Sequence, residues 1–429
     1  MFRALWLACL LITHCTLSIP SSHIHRARQN QVSRNQPPLI TPPSVNDING
    51  NGRGSRFFNV SNFPPPTIIV RQNTNHPREF RTIQAAVNSL KDRTGPQVIY
   101  VHEGLYREQV YVDYDPPLII RAKKPNENGQ NYVSIVFALG AKEAKSNEAS
   151  ATLNVLKDDF GLYFINIINE YGTGTDTQAL ALNAKGDRQG YYNCTFRSFQ
   201  DTVRAYRGIQ LYSACVIIGA VDFIFGRDVN AWFEQLTIPI LKGSKEPITA
   251  SGRHVDDISG FFVLNRANVF SAGALPGTAY LGRPWRAGAK VAFQHCNLSD
   301  VINPDGWMAW SPSDPRTEGV QFQEYGNFGP GAQGKRLYDT PLRSPHLPEN
   351  ILGPDYLDWI DYNYRPIIPI IPKNRLDNKK NSADSLSTTS ALAIKKPSTD
   401  PFPTTSPLVI KKDPQPPLSV RPRSQVALK

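Results

Sequence analysis

Between its two ends the chain carries short apolar runs, rich in β-branched and aromatic residues and separated by turn residues. Gln97-Val-Ile-Tyr-Val, Pro117-Leu-Ile-Ile, Gly161-Leu-Tyr-Phe-Ile-Asn-Ile-Ile and Ala231-Trp-Phe-Glu-Gln-Leu-Thr-Ile are examples. Runs of this length and composition predict strands. One early segment differs: Thr82-Ile-Gln-Ala-Ala-Val-Asn-Ser-Leu places apolar residues at helical spacing and offers Thr82 as its cap. The runs also resemble one another. An aromatic is followed three residues later by a small, polar or apolar residue at Tyr163/Asn166, Tyr191/Cys194, Tyr212/Cys215, Phe233/Leu236, Phe262/Asn265 and Phe293/Cys296. The aromatics are 28, 21, 21, 29 and 31 residues apart. Periods of this size, built from several short strands, mark a solenoid. A sandwich would alternate without holding a register. The predicted fold is all-β, a right-handed parallel β-helix.

Composition agrees. Of 429 residues 36 are proline and 2 methionine, which argues against a helical bundle. The net charge of +11 is unevenly placed. Residues 373–429 hold 11 Lys/Arg against 4 Asp, residues 20–56 hold 5 Arg against Asp47, and Arg3 adds one. Of the 47 basic and 36 acidic residues, 30 and 31 are left for 57–372. A body so nearly neutral argues against a nucleic-acid-binding core, which needs a basic face. Any attraction to polyanions belongs to the ends.

Arg3, the apolar run Ala4–Ile12 and the small or polar residues up to Ser22 follow the order of a secretory signal. The run is too short to span a bilayer, which takes ~20 residues, and no later stretch is long and apolar enough. Residues 1–22 are therefore read as a signal peptide and the protein as secreted, without a membrane partner. Segment 23–56, with its Pro-Pro and Asn-Gly pairs, reads as a flexible leader, and 57–372 as the folded body. Residues 373–429, a basic Pro/Ser/Thr/Lys tail that repeats Thr-Thr-Ser at 388 and 404, cannot bury a core. In a secreted chain Cys194 and Cys215, one coil apart, are expected to stack as thiols or to pair; an oxidising compartment favours a disulfide. Sequons at Asn59, Asn193 and Asn297 are candidate glycosylation sites.

Coil spacing also brings polar residues together. Asp201 lies seven residues after Cys194, and Asp222 seven after Cys215. On neighbouring parallel strands, roughly 5 Å apart, the two carboxylates must face one another among Phe199, Val221, Phe223, Ile224 and Phe225. Like charges that close raise one pKa and titrate as a pair, which supplies one acid and one base at neutral pH. A purely structural Asp pair is the plainer alternative. The chain carries no Gly-x-Ser-x-Gly elbow, no Cys-x-x-Cys or His-Glu-x-x-His pattern and no phosphate-binding glycine loop. No metal site or cofactor is expected, and nucleophilic chemistry falls to carboxylates.

Gly104-Leu-Tyr-Arg-Glu, Gln178-Ala-Leu, Gln200-Asp-Thr, Gly219-Ala-Val-Asp-Phe-Ile-Phe-Gly and Leu281-Gly-Arg-Pro-Trp occur in that order. Together they resemble the ordered signatures of the pectin methylesterases (pectinesterases), in the outline of short microbial or fungal members. The resemblance runs from about Ile68 to Ala332. It implies a pectin-lyase-like β-helix and a secreted, monomeric esterase that removes methyl esters from pectin, giving pectate and methanol in the plant cell wall. It also implies roles. Asp222 is the nucleophile, Asp201 the general acid and base, and Gln178 and Gln200 the oxyanion donors. Arg283 holds Asp222 ionised, while Trp285, Phe225, Phe199 and Trp310 face the sugars. Val203-Arg204 departs from the Leu-Tyr more usual after Gln-Asp-Thr, and Ala220 stands where many plant members have Thr. A retaining glycosidase, which also uses carboxylates ~5 Å apart, a pectin lyase and a non-catalytic pectin-binding protein are the rival readings.

Overall fold

The structure, a computed structural model, describes residues 68–368 except 244 and 258. The signal, leader and tail assignments and the sequon at Asn59 lie outside the described residues. Every strand pairing is parallel, in a 17-stranded and an 8-stranded sheet. The larger sheet consists of two ladders. One stacks Gln97–Val101, Leu118–Arg121, Phe160–Tyr163, Gln189–Tyr192 and the C-terminal half of Val203–Ser213. It continues through Asp228–Glu234, Phe261–Asn265, Lys290–Gln294 and Gln321–Tyr325. The other climbs from Val110–Val112 through Leu153–Val155, Leu182–Lys185, the N-terminal half of Val203–Ser213, Ile224–Gly226 and Glu246–Ser251 to Ala279–Pro284. Strand Val203–Ser213 runs unbroken through both ladders and so joins them. The 8-stranded sheet forms the third face, from Gly104–Arg107 to Asn297–Leu298. The chain thus winds as a right-handed parallel β-helix.

A single residue turns each coil from the first ladder into the third face. Phe164, Asn193, Ala214, Gln235, Arg266 and His295 all adopt left-handed φ between 51° and 62°. Each donates its N–H to the next coil, as Asn193 does to Ser213 O at 3.0 Å and Ala214 to Glu234 O at 3.0 Å. These corners hold the register that the aromatic repeat follows. Tyr191, Tyr212 and Phe233 are in register as expected, fully buried, with ring centroids 4.7 Å apart at both steps. At the flanks the observed partners differ from the expected ones. Leu162, rather than Tyr163, lies beneath Tyr191, and Leu264, rather than Phe262, follows Phe233.

The expected helix forms at Ile83–Asn88. The Thr82 hydroxyl accepts from Ala85 N, and the Glu108 carboxylate accepts from Ile83 N and Gln84 N, both at 2.9 Å. Its buried residues Ile83, Ala86 and Val87 pack it onto the first coils.

The disulfide expectation is overturned: Cys194 and Cys215 are free, buried thiols. Both occupy the position after a left-handed corner, so their side chains take the same direction, one above the other. Each thiol bonds to backbone carbonyls instead. The single S–H of Cys194 has Leu162 O and Tyr192 O within reach as acceptors, and that of Cys215 has Tyr191 O and Ser213 O, at 3.3–3.5 Å. The stacked thiol pair is the arrangement present.

Candidate active site

Asp201 and Asp222 share a second set of corners, which lead into the middle ladder. Both are left-handed, at φ 64° and 49°, a region that Asp visits more readily than most residues. Asp201 N donates to Val221 O at 3.1 Å and Asp222 N to Pro247 O at 2.8 Å. Gln200 bridges in parallel to Gln178 on one side and to Val221 on the other. Gln178, Gln200 and Val221 therefore occupy corresponding places on three consecutive coils, and Asp201 and Asp222 follow them at the next position, their backbones one strand spacing apart, ~4.8 Å.

Both carboxylates are nearly enclosed, at 7% and 5% exposure, but their partners differ. Arg283 grips Asp222 with two hydrogen bonds, Nε to Oδ1 at 2.9 Å and Nη2 to Oδ2 at 2.6 Å, the bidentate geometry of a strong charge-assisted pair. Asp201 receives a single neutral donor, Asn147 Nδ2, at 3.0 Å on Oδ2. Burial, and then the neighbouring Asp222 charge, push the Asp201 pKa well above the ordinary carboxylate value. Burial also raises Asp222, and there the Arg283 hydrogen bonds and charge oppose it. At Asp222 desolvation is thus the larger effect, and Arg283, expected to hold it ionised, works against that effect. Burial raises both carboxyls, and Asp222 alone is hydrogen-bonded by a cation that opposes the rise.

Around the pair, Gln200 Oε1 accepts from Thr177 N at 3.2 Å. This fixes the amide and leaves its NH2 as the outward donor. Phe225 is buried and meets the half-buried Trp285 edge-on, with centroids 5.9 Å apart. Ala151, Leu180 and Ala250 complete this small apolar cluster. Gly252 lies beneath Trp285, where a Cβ would come within 2.4 Å of the indole. Phe199 is buried at the same corner, and its carbonyl accepts from Ala220 N at 2.8 Å. The Trp310 ring is stacked by two guanidiniums, Arg283 at 4.2 Å and Arg316 at 4.7 Å, and Arg316 Nη1 donates to Trp285 O at 2.6 Å. Asn297 Nδ2, where a glycan would attach, donates to Asn268 Oδ1 at 2.9 Å.

Sequence reasoning missed Asn147 and Arg316. Each comes from a connection outside the coil period, Asn147 from a short helix and Arg316 from a loop. The one local signal is the Ser146 cap of the short helix Asn147–Ser150, and it does not show that Asn147 reaches Asp201. Among the described residues, no group of three or more His, Cys, Asp or Glu is placed to hold a metal ion, and no helix is long and apolar enough to cross a membrane.

The pectinesterase family profile matches residues 67–339. The chain belongs to the pectinesterase family. A pectinesterase from Aspergillus niger is 39% identical over 295 residues, covering 67% of this chain and 89% of that one. Pectinesterase A of Emericella nidulans is 38% identical over 292 residues, covering 66% and 86%. The crystal structure of the Aspergillus niger pectin methylesterase superposes with a TM-score of 0.64 at 35% identity, over 70% of this chain and 98% of that one. The carrot enzyme, at 24% identity and a TM-score of 0.58 over 66% and 89%, shares the fold. In this fungal-type family member Arg283 bonds Asp222, and Gln178 and Gln200 sit on the coils stacked beside it.

Proposed function

We propose that the protein is a secreted enzyme that hydrolyses the methyl esters of galacturonate residues in pectin, releasing methanol and leaving pectate. The observation that carries this reading is the pair of buried aspartates on adjacent coils, one gripped by a bidentate arginine and the other without such a cation. Asp222 attacks the ester carbonyl carbon. The electron pair moves to the carbonyl oxygen, where Gln178 and Gln200 amides donate to it, preorganised donors being worth ~3–4 kcal/mol each in such sites. The tetrahedral intermediate collapses, its bond to the methoxyl oxygen breaks, and that oxygen takes the Asp201 proton and departs as methanol. An anhydride between Asp222 and the galacturonyl group remains. Asp201, now ionised, takes a proton from water, whose hydroxyl adds to the galacturonyl carbonyl. Collapse of this second intermediate frees the Asp222 carboxylate and the product acid. Trp285 and Phe225 offer faces to the sugars, while Trp310, held between cations, positions Arg283. The body at 57–372 is the catalytic unit of a monomer, and the signal-like order of residues 1–22 supports secretion, which puts the enzyme within reach of the plant cell wall.

The test is methanol release from highly methylated pectin by the full chain and by Asp222→Asn, with reducing ends counted in parallel. Methanol from the wild type alone, without new reducing ends, is expected. Reducing ends or unsaturated products without methanol would refute the reading in favour of a glycosidase or lyase.

A further inference from the structure

Arg283 is itself held in place. Its Nε and Nη2 are spent on Asp222. Its face and its Nη1 go to Trp310, whose ring lies 4.2 Å away and whose carbonyl accepts at 3.4 Å. Trp310 sits in no strand or helix, so its own position needs a support. It belongs to a closed turn in which Trp310 N donates to Pro315 O at 3.1 Å, Ser311 N to Asp314 O at 3.2 Å and Asp314 N to Ser311 Oγ at 3.0 Å. Arg316 ends that turn with a left-handed backbone, φ 54°, a conformation uncommon for arginine that persists where the surroundings over-determine it. Its side chain supplies those surroundings. Nη1 donates to Trp285 O at 2.6 Å, Nε donates to Asp314 Oδ2 at 2.7 Å, and the guanidinium lies 4.7 Å from the Trp310 ring. Trp285 N in turn donates to Ser251 O at 2.9 Å, at the end of strand Glu246–Ser251, so Arg316 ties the turn to the middle ladder. The pair with Asp314, whose side chain is 55% exposed, holds little by itself. The charge-assisted bond to Trp285 O and the stacked ring hold more.

We propose that Arg316 is a positioning residue for the reaction: it clamps Trp310 against Arg283 and so keeps Arg283 on Asp222. The inference rests on the esterase reading. Among the described residues no hydrogen bond or ion pair joins Arg316 to either aspartate, and its partners are Trp285, Asp314 and the Trp310 ring. The charged groups around Asp222 are Arg283 beside it and Asp201 on the neighbouring coil, with Arg204 acting on Asp201. Changing Arg316 leaves all three in the chain, so Asp222 responds to Arg316 through the placement of Arg283.

The test is the pH profile of kcat/KM for methanol release from methylated pectin by the full chain. Arg316→Met keeps much of the side chain's length and removes its charge and its fork. A carboxylate whose cation is loosened titrates at higher pH, so the acid limb should move up by about one pH unit. At a pH below the new limb the rate should fall about tenfold, with most of the loss in kcat. Arg316→Lys, which keeps a cation for Trp285 O without the planar fork, should return the limb part of the way. Should Arg316→Met fail to fold, Arg316→Gln, which can still donate to Trp285 O, takes its place with the same expected direction. An acid limb that stays in place in every folded variant would overturn the inference alone. So would a loss confined to KM, the result expected if Arg316 only shapes the Trp285 side of the cleft. No methanol from the wild type would overturn the esterase reading and the inference together.

Discussion

Replacing Arg283 by Met keeps much of its volume and removes both its charge and its fork. In the wild type, burial raises the Asp222 pKa while two hydrogen bonds at 2.9 and 2.6 Å and the guanidinium charge pull the other way. Without the arginine only the raising effect survives. An opposite charge in contact moves a carboxylate by about 1–3 pKa units, so the acid limb of kcat/KM should climb by that amount. At a pH below the new limb the rate should fall about 10- to 1,000-fold, tenfold for each unit. Stability gives an independent sign. A carboxyl whose folded pKa lies above its unfolded value stabilises the fold fully below the unfolded value, and that contribution is lost as pH rises through the folded one. The stability lost in Arg283→Met should therefore be small in acid and grow with pH, towards the ~3–5 kcal/mol of a broken buried pair. Arg283→Lys, which keeps the charge without the fork, should shift the limb less. The assay is methanol release across pH, with thermal unfolding over the same range. An acid limb that stays in place in Arg283→Met, with the whole loss in KM, would refute the idea that Arg283 acts through the ionisation of Asp222.

Asp201→Asn should abolish activity, yet unfolding temperatures should show it more stable than the wild type above the ordinary carboxylate value of 3.8, by a margin that widens as pH rises through the raised folded pKa. Gln200→Ala should lower kcat by about 10²–10³ with little change in KM, as expected for a donor used in the transition state. Tyr212→Ala, which removes the middle ring of the Tyr191–Tyr212–Phe233 stack, should cost about 3–5 kcal/mol in denaturant unfolding. Thiol titration in denaturant without reductant should find Cys194, Cys215 and Cys296 all free, and reductant should leave the unfolding temperature unchanged.

What the sequence disclosed, and what it hid, follows from how a solenoid is built. Asp201 and Asp222 were legible because both sit at the same corner of coils that are each 21 residues long, so spacing alone put them face to face. Arg283 was legible through the motif around it, and in the structure it contacts Asp222 through two hydrogen bonds. Asn147 was not legible. It reaches Asp201 from a short helix in a connection 54 residues upstream, and connections between strands vary in length without disturbing the coil, so the period carries no information about them. The cysteines show a second limit. A separation of one coil brings two backbones together, but side-chain direction decides whether the sulfurs turn towards each other, and parallel strands in register point them the same way.

The displaced aromatic register identifies what the repeat consists of. Tyr163 and Phe262 fit a pattern of rings, yet the coils align Leu162 with Tyr191 and Leu264 with Phe233. The common feature is the left-handed corner. Phe164, Asn193, Ala214, Gln235, Arg266 and His295 fall 29, 21, 21, 31 and 29 residues apart, in step with the observed pairing and not with the rings. No glycine appears among these six, and only asparagine and histidine are residues enriched in that conformation. Propensity therefore cannot have written the corner. It is imposed by the N–H that each residue donates to the coil above and by the buried residues on either side of it, so it exists only once neighbouring coils are stacked. The same reasoning applies to Asp201 and Asp222, whose left-handed backbones are held by Val221 O and Pro247 O of the following coils. The catalytic geometry is thus a property of the stack. Loosening one coil, as Tyr212→Ala should, is expected to displace the aspartates as well as to destabilise the core.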